Sequence, residues 1–177
     1  MGNQDLAAAM RRAEAVFQRR PDMGVHDDAP AAARWQSGTR VVASHPNGAE
    51  IASDMPCELG GTGDRITPGW LFRAGIASCT TTTIAMAAAA AGIELAALEV
   101  QVGSRSDTRA LLGMTQPNGE RVCAAPSDFQ LIVRIAAHGV DAERLRALVA
   151  EGMRRSPITN ALQNAMPTAL RVDIATA

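Results

Sequence analysis

The chain of 177 residues contains no lysine and no tyrosine. Its positive side-chain charge is carried by arginine alone, 17 residues against 18 acidic ones, for a net charge of -1. The two signs are interspersed, so no basic surface is offered to nucleic acid or to an anionic membrane, and neither is an expected partner. Aromatics are few, three phenylalanines and two tryptophans. Only three cysteines occur, Cys57, Cys79 and Cys123, widely spaced and without a CxxC pair. That spacing excludes a disulfide framework and a structural zinc site, and a reducing cytoplasm is the expected compartment. His26, His45 and His138 lack metal-ligand spacing, so no metal and no cofactor is expected. The longest run free of strongly polar residues, Ile84 to Ile93, is too short to span a bilayer. Met1 to Asp5 is polar and no apolar core follows it, so no signal peptide is expected.

What is present is organised around one stretch, Thr67 to Gly92. Thr67 suits an N-cap, Pro68 suits the first helical position, and Gly92 suits the residue just past a helix end. These signals predict one helix of roughly 24 residues, on the order of 36 Å long. Arg73 is its only charged residue, which leaves no polar face for water; such a helix belongs at the centre of a core. Its composition nevertheless disfavours a helix. Gly69 and Gly75 each cost about 1 kcal/mol relative to alanine, and Thr80 to Thr83 up to about 0.7 kcal/mol each. Local conflict of this kind marks close packing or a site. Cys79 sits in the middle, with Phe72, Gly75, Ile76, Thr82, Thr83 and Met86 at helical spacings around it. Gly75 leaves room beside the sulfur for a ligand or a second backbone. Two readings of Cys79 stand: a small buried apolar residue, or a reactive thiol. The threonine hydroxyls can bond a ligand, or bond back to carbonyls one turn earlier.

Ahead of this helix, Asp5 to Arg20 reads as an amphipathic helix ended by Pro21, and residues 1–32 as an appended segment. Three short strands follow, around Arg34–Gln36, Thr39–Ser44 and Ala49–Ser53, joined by Ser37-Gly38 and by the Asn47-Gly48 turn. A Gly-rich loop from Glu58 to Asp64 leads into the central helix; it is not a phosphate-binding loop, because no Gly-Lys-Ser/Thr follows. After Gly92 come a half-buried strand around Leu98–Val102, an irregular stretch and a hairpin loop, and a strand from Phe129 to Ala136. A helix capped by Asp141 then runs to about Arg155, with a helical turn to Gln163 and a final strand, Ala169 to Ile174. Short connections argue for mostly antiparallel sheets with segregated helices, an α+β class, in one domain over 33–177.

Taken in order, Glu58-Leu59-Gly60-Gly61-Thr62-Gly63, Thr67-Pro68 opening a long helix, Ala77-Ser78-Cys79, Asp107 to Gly113, and Ser156-Pro157-Ile158-Thr159-Asn160-Ala161-Leu162 resemble the OsmC/Ohr family of thiol-dependent hydroperoxide reductases. The likeness covers about Arg34 to Ala175. It implies an OsmC-like fold of two mostly antiparallel sheets around two central helices, in an intertwined homodimer with its sites at the interface. It further implies a peroxidatic thiolate at Cys79 and an activating arginine at Arg40, with Arg34 as the alternate. Where the family's resolving cysteine stands this chain has Ser156, and where a glutamate orients the arginine it has Gly69.

A serine cannot form a disulfide, so the two-cysteine cycle cannot run with those partners, and Cys57 and Cys123 read as loop cysteines. Two expectations follow from different classes. In the first, the protein is a peroxidase that reduces organic hydroperoxides through Cys79 alone, with an external thiol closing the cycle. Its substrate would then lie against Phe72, Gly75, Ile76, Thr82, Thr83, Met86 and Ser156. In the second, it is a dimeric binding module for a small apolar or thiol-containing ligand. In either case Cys79 is expected to be less activated than in a member carrying the full set; a strongly activated Cys79 would mean that another residue has replaced the missing carboxylate, Asp64 or Glu58 first.

Overall fold

Four α-helices and two antiparallel sheets make up the computed structural model, which describes residues 2–164 and 166–174. The architecture is α+β, as the connection lengths imply. Helix α2 (Pro68–Ala90) is its axis. Thr67 Oγ1 accepts from the Trp70 N–H at 3.2 Å, and Pro68 occupies the first turn, so both expected start signals operate. At the other end Gly92 takes φ +67°, which lets Ile93 N–H reach the Ala88 carbonyl at 2.9 Å and Gly92 N–H the Ala89 carbonyl at 3.1 Å. Two otherwise orphaned carbonyls are satisfied there, and the helix stops.

Helix α2 packs on the hairpin of β4 (Leu95–Arg105) and β5 (Ser127–Ala137), and on α3 (Ala142–Arg154). Along the hairpin, Leu98, Val100 and Val102 pair with Ile135, Val133 and Leu131 on one half-buried face. Ile76 and Ile84 of α2 are fully buried, and Ala87, Ala88, Ile93 and Leu148 form a core cluster beside them. The α2–α3 crossing is close because Gly152 has no side chain: a Cβ there would stand 2.6 Å from Ile84 Cα. After α3 the short helix α4 (Pro157–Gln163) folds back onto α2.

The N-terminal elements behave differently. Helix α1 (Asn3–Arg19) lies along the C-terminal half of α2, and its Asn3 side chain donates to the Ile93 carbonyl at 3.1 Å. A cleft of about 700 Å³ remains between the two helices, lined by Met10, Phe17 and Met86. Strands β1 (Ala32–Ser37), β2 (Arg40–Ser44) and β3 (Glu50–Ser53) form a three-stranded meander, and Ser53 at its end also bridges to Ile66 just ahead of α2. Its turns use Gly38 at φ +54° and Gly48 at φ +90°. Every residue of β1 is exposed, Trp35 at 68 %.

One expected element does not form. Ala169 to Ile174 alternates as a strand should, yet it has no strand assignment, and Leu170, Val172 and Ile174 are 88 %, 71 % and 92 % exposed. A strand needs a neighbour for its N–H and C=O groups, and among the described residues none is paired with this segment. Ala175, where the resemblance ends, and Ala177, the expected domain end, lie outside the described residues. Among the described residues no helix is long and apolar enough to cross a membrane.

Candidate functional site

Cys79 lies midway along α2 and is half-buried, whereas Cys57 and Cys123 are exposed. The side chain brought to its sulfur is Ser156, whose Oγ donates to Cys79 Sγ at 3.2 Å. Several local features hold Ser156 there. It is the N-cap of α4, accepting from Thr159 N–H at 3.4 Å, and Pro157 starts that helix. Asn160 clasps the turn from behind, its amide donating to the Arg154 carbonyl at 3.0 Å and the Ser156 carbonyl at 2.8 Å. Behind Ser156 its hydroxyl meets Thr159 Oγ1 at 2.9 Å, and Thr159 Oγ1 meets Thr80 Oγ1 at 3.0 Å. Ser156 and Thr80 are fully buried and Thr159 is 5 % exposed.

The other expected contact residues divide by depth. Phe72 is 44 % exposed and stands edge-on to Phe129, ring centroids 5.9 Å apart, and Thr82 is exposed as well. Ile76 is fully buried in the subunit's own core. Thr83 is buried as well, and its hydroxyl returns to the carbonyls of Cys79 and Thr80, both at 3.1 Å. Thr81 likewise bonds back to Ala77 at 2.8 Å. The room left by Gly75 faces α4: a Cβ there would stand 4.0 Å from Ile158 Cδ1. Met86 belongs to the α1–α2 cleft, two turns beyond the sulfur.

Arg40 is held elsewhere in the subunit. Its guanidinium donates to Asp54 Oδ2 at 3.1 and 3.3 Å, to Thr62 Oγ1 at 2.5 Å, and to Asp64. Asp54 is 2 % exposed and is the hub of the loop that follows β3. It accepts from Thr39 Oγ1 at 2.5 Å, from Thr62 Oγ1 at 2.8 Å, and from the Met55 and Thr62 N–H groups. Those bonds from Thr39 and Thr62 hold its carboxyl far below the usual carboxylate range. Asp64 is lowered too, first by Thr62 and then by the charges of Arg40 and Arg65. The candidate carboxylate Asp64 therefore does grip Arg40, and Asp54 grips it from a more buried position. Among the described residues Glu58 is not one of the hydrogen-bond or ion-pair partners of Arg40, which are Asp54, Thr62 and Asp64. At Gly69 a Cβ would stand 3.7 Å from Arg73 Nη1, and Arg73 reaches Ser104 Oγ at 3.4 Å.

Sequence reasoning missed Asp54 and Thr159, and it named Thr80 only as one of four threonines beside Cys79. Thr159 had a signal, since a Ser-Pro-x-Thr run places it three residues past an N-cap, where side chains return to the cap. Asp54, directly after a strand and before a Gly-rich loop, carried only a weak one.

A depressed folded-state carboxyl stabilises above its unfolded value, and that contribution is lost as pH falls toward the folded value. Urea unfolding should thus show stability declining below about pH 4, the unfolded carboxylate range. Asp54→Asn should flatten that decline; an unchanged profile would overturn the assignment of the acid sensitivity to Asp54.

Fold and site together define a class: an α+β subunit with a half-buried thiol set mid-helix and capped by a hydroxyl. A family model described as OsmC-like protein matches residues 61–171. The chain belongs to the OsmC-like family. Solved structures with a similar fold include an OsmC-like protein from Mycoplasma pneumoniae, 18 % identical, covering 78 % of this chain and 89 % of that one with a TM-score of 0.65. An organic hydroperoxide resistance protein OsmC from Legionella pneumophila is 25 % identical, covering 78 % and 92 %, with a TM-score of 0.54. A putative organic hydroperoxide resistance protein from Vibrio cholerae, with captopril bound in one of its active sites, is 26 % identical over 78 % and 88 %, with a TM-score of 0.51. No curated protein matches the chain.

Proposed function

We propose that the protein is a thiol-dependent peroxidase that reduces organic hydroperoxides through Cys79 alone. The observation that carries this reading is the Ser156 hydroxyl 3.2 Å from Cys79 Sγ, a donor where a resolving thiol would otherwise stand. The Cys79 thiolate attacks the distal peroxide oxygen, the O–O bond breaks, and the alkoxide leaves and takes a proton from water to become an alcohol. Cys79 is left as a sulfenic acid. An external thiol condenses with it, releasing water and forming a mixed disulfide. A second thiol then frees Cys79 and departs as the oxidised disulfide. A reducing cytoplasm supplies such thiols.

Arg40 supplies positive charge, with Asp54 and Asp64 fixing its direction in place of the carboxylate absent at Gly69. Two features favour a homodimer in which the β1–β3 sheet of one subunit completes the site of the other. That sheet has no extensive packing against α2 in its own chain, and β1 is exposed throughout. Phe72, Thr82 and the apolar side chains of 170–174 are left bare as well. Sedimentation at micromolar concentration should give a dimer; a stable folded monomer would overturn this assembly.

The binding-module reading draws on the same Ser156, because no disulfide can form there. Hydroperoxide consumption with an added thiol separates the two. A protein that binds cumene hydroperoxide without consuming it is a binding module.

A further inference from the structure

We propose that Ser156, Thr159 and Thr80 form a hydroxyl relay that favours the ionised form of Cys79, with Ser156 donating to the sulfur and the two threonines as positioning residues behind it. The proposal rests on Cys79 being the nucleophile, and it replaces a lost redox partner by a hydrogen-bond device.

The direction of the relay follows from counting hydrogens. A thiolate has none to give, so the 3.2 Å contact uses the single hydroxyl hydrogen of Ser156. The 2.9 Å contact between Ser156 and Thr159 must then be donated by Thr159, and the 3.0 Å contact behind it by Thr80. All three O–H dipoles point toward the sulfur. The three residues are buried, so water does not compete for these bonds, and each bond polarises the next.

Thr80 breaks the habit of its own helix. Thr81 and Thr83 bond back to carbonyls one turn earlier, as hydroxyls in helices do. Thr80 instead reaches out of α2 to Thr159 on α4. A buried threonine that leaves its carbonyl to join a line ending on a cysteine is placed for that line.

The experiment follows iodoacetamide alkylation of Cys79 against pH in the full chain, with Cys57→Ser and Cys123→Ser present so that one thiol is read. Ser156→Ala should slow alkylation at neutral pH roughly tenfold, the scale on which loss of a favourable contact moves a thiol. Its alkylation curve should move to higher pH. Thr159→Val should slow it less and Thr80→Val least, because each removes a link farther from the sulfur. In the Ser156→Ala background Thr159→Val should add nothing; with Ser156 present, Thr159→Ser, which keeps the hydroxyl, should alkylate at the parent rate. Circular dichroism checks each variant; Thr80→Val, a near-isosteric change, carries the test should Thr159→Val not fold. The proposal is overturned by parent-like alkylation in Ser156→Ala, or by a Thr159→Val effect that persists without Ser156. Alkylation needs no peroxide. A parent protein that consumes no hydroperoxide while the graded series holds overturns the peroxidase reading alone.

Discussion

Cys79→Ser is expected to lower cumene hydroperoxide consumption by at least about a thousandfold, the scale on which removing a covalent nucleophile acts. The substitution exchanges one atom and keeps the half-buried volume. Ser156, Thr159 and Thr80 retain their mutual contacts, and the helix gains no polar group without a partner, because Ser156 stands within hydrogen-bond reach. The loss is therefore chemical. A hydroxyl is not ionised near neutral pH and is a poor nucleophile toward an O–O bond, whereas a thiolate is a good one. Cys57→Ser and Cys123→Ser should keep parent activity with a monothiol reductant. Both residues are exposed, Cys57 in the turn beneath Gly63 and Cys123 in a cleft beside Arg105 and Asp107. Loss in the Cys123 variant equal to that in Cys79→Ser would make Cys123 a relocated resolving cysteine and end the one-cysteine cycle.

Gly152→Ala should cost more stability than the same change at Gly69 or Gly75, the glycines of α2. The new Cβ would meet Ile84 Cγ1 at 2.5 Å, Cα at 2.6 Å and N at 2.8 Å. Two of those atoms are backbone, so no rotamer change relieves the overlap and the α2–α3 pair must separate. Overpacking of this kind costs about 3 kcal/mol or more, a large share of the roughly 5–15 kcal/mol that holds a domain together. In a chain this long the melting temperature should fall by about 10 °C. Gly103→Ala on β4 is the control, because nothing lies within 4 Å of its added Cβ. Equal melting temperatures for the two variants would refute the tight crossing. The site should suffer with the fold, since α3 ends two residues before Ser156 and carries it toward Cys79.

How much of this was legible depends on how local the signal is. The central helix was readable to within a residue or two at each end, because its start and stop are set by Thr67, Pro68 and Gly92 in their own neighbourhood. The hairpins around Gly38 and Gly48 were readable for the same reason. The apposition of Ser156 and Cys79 joins residues 77 apart, and only the ordered resemblance pointed to it. Asp54 was illegible in practice. Its importance lies in four residues, Thr39, Arg40, Met55 and Thr62, that the start of β2 and the loop after β3 gather around one carboxylate, and no periodicity encodes such a gathering. The final strand shows the opposite failure. Alternation at 169–174 states which side chains share a face, but a strand exists only where another backbone lies beside it.

Arg73 decides what a carboxylate placed at position 69 could do. Its guanidinium stands 3.7 Å from where the first side-chain carbon of such a residue would lie, so a glutamate introduced there meets a cation on its own helix. Arg40, meanwhile, is already held by two aspartates. A Gly69→Glu change taken alone thus hands its carboxylate to Arg73 and leaves the aim of Arg40 as it is.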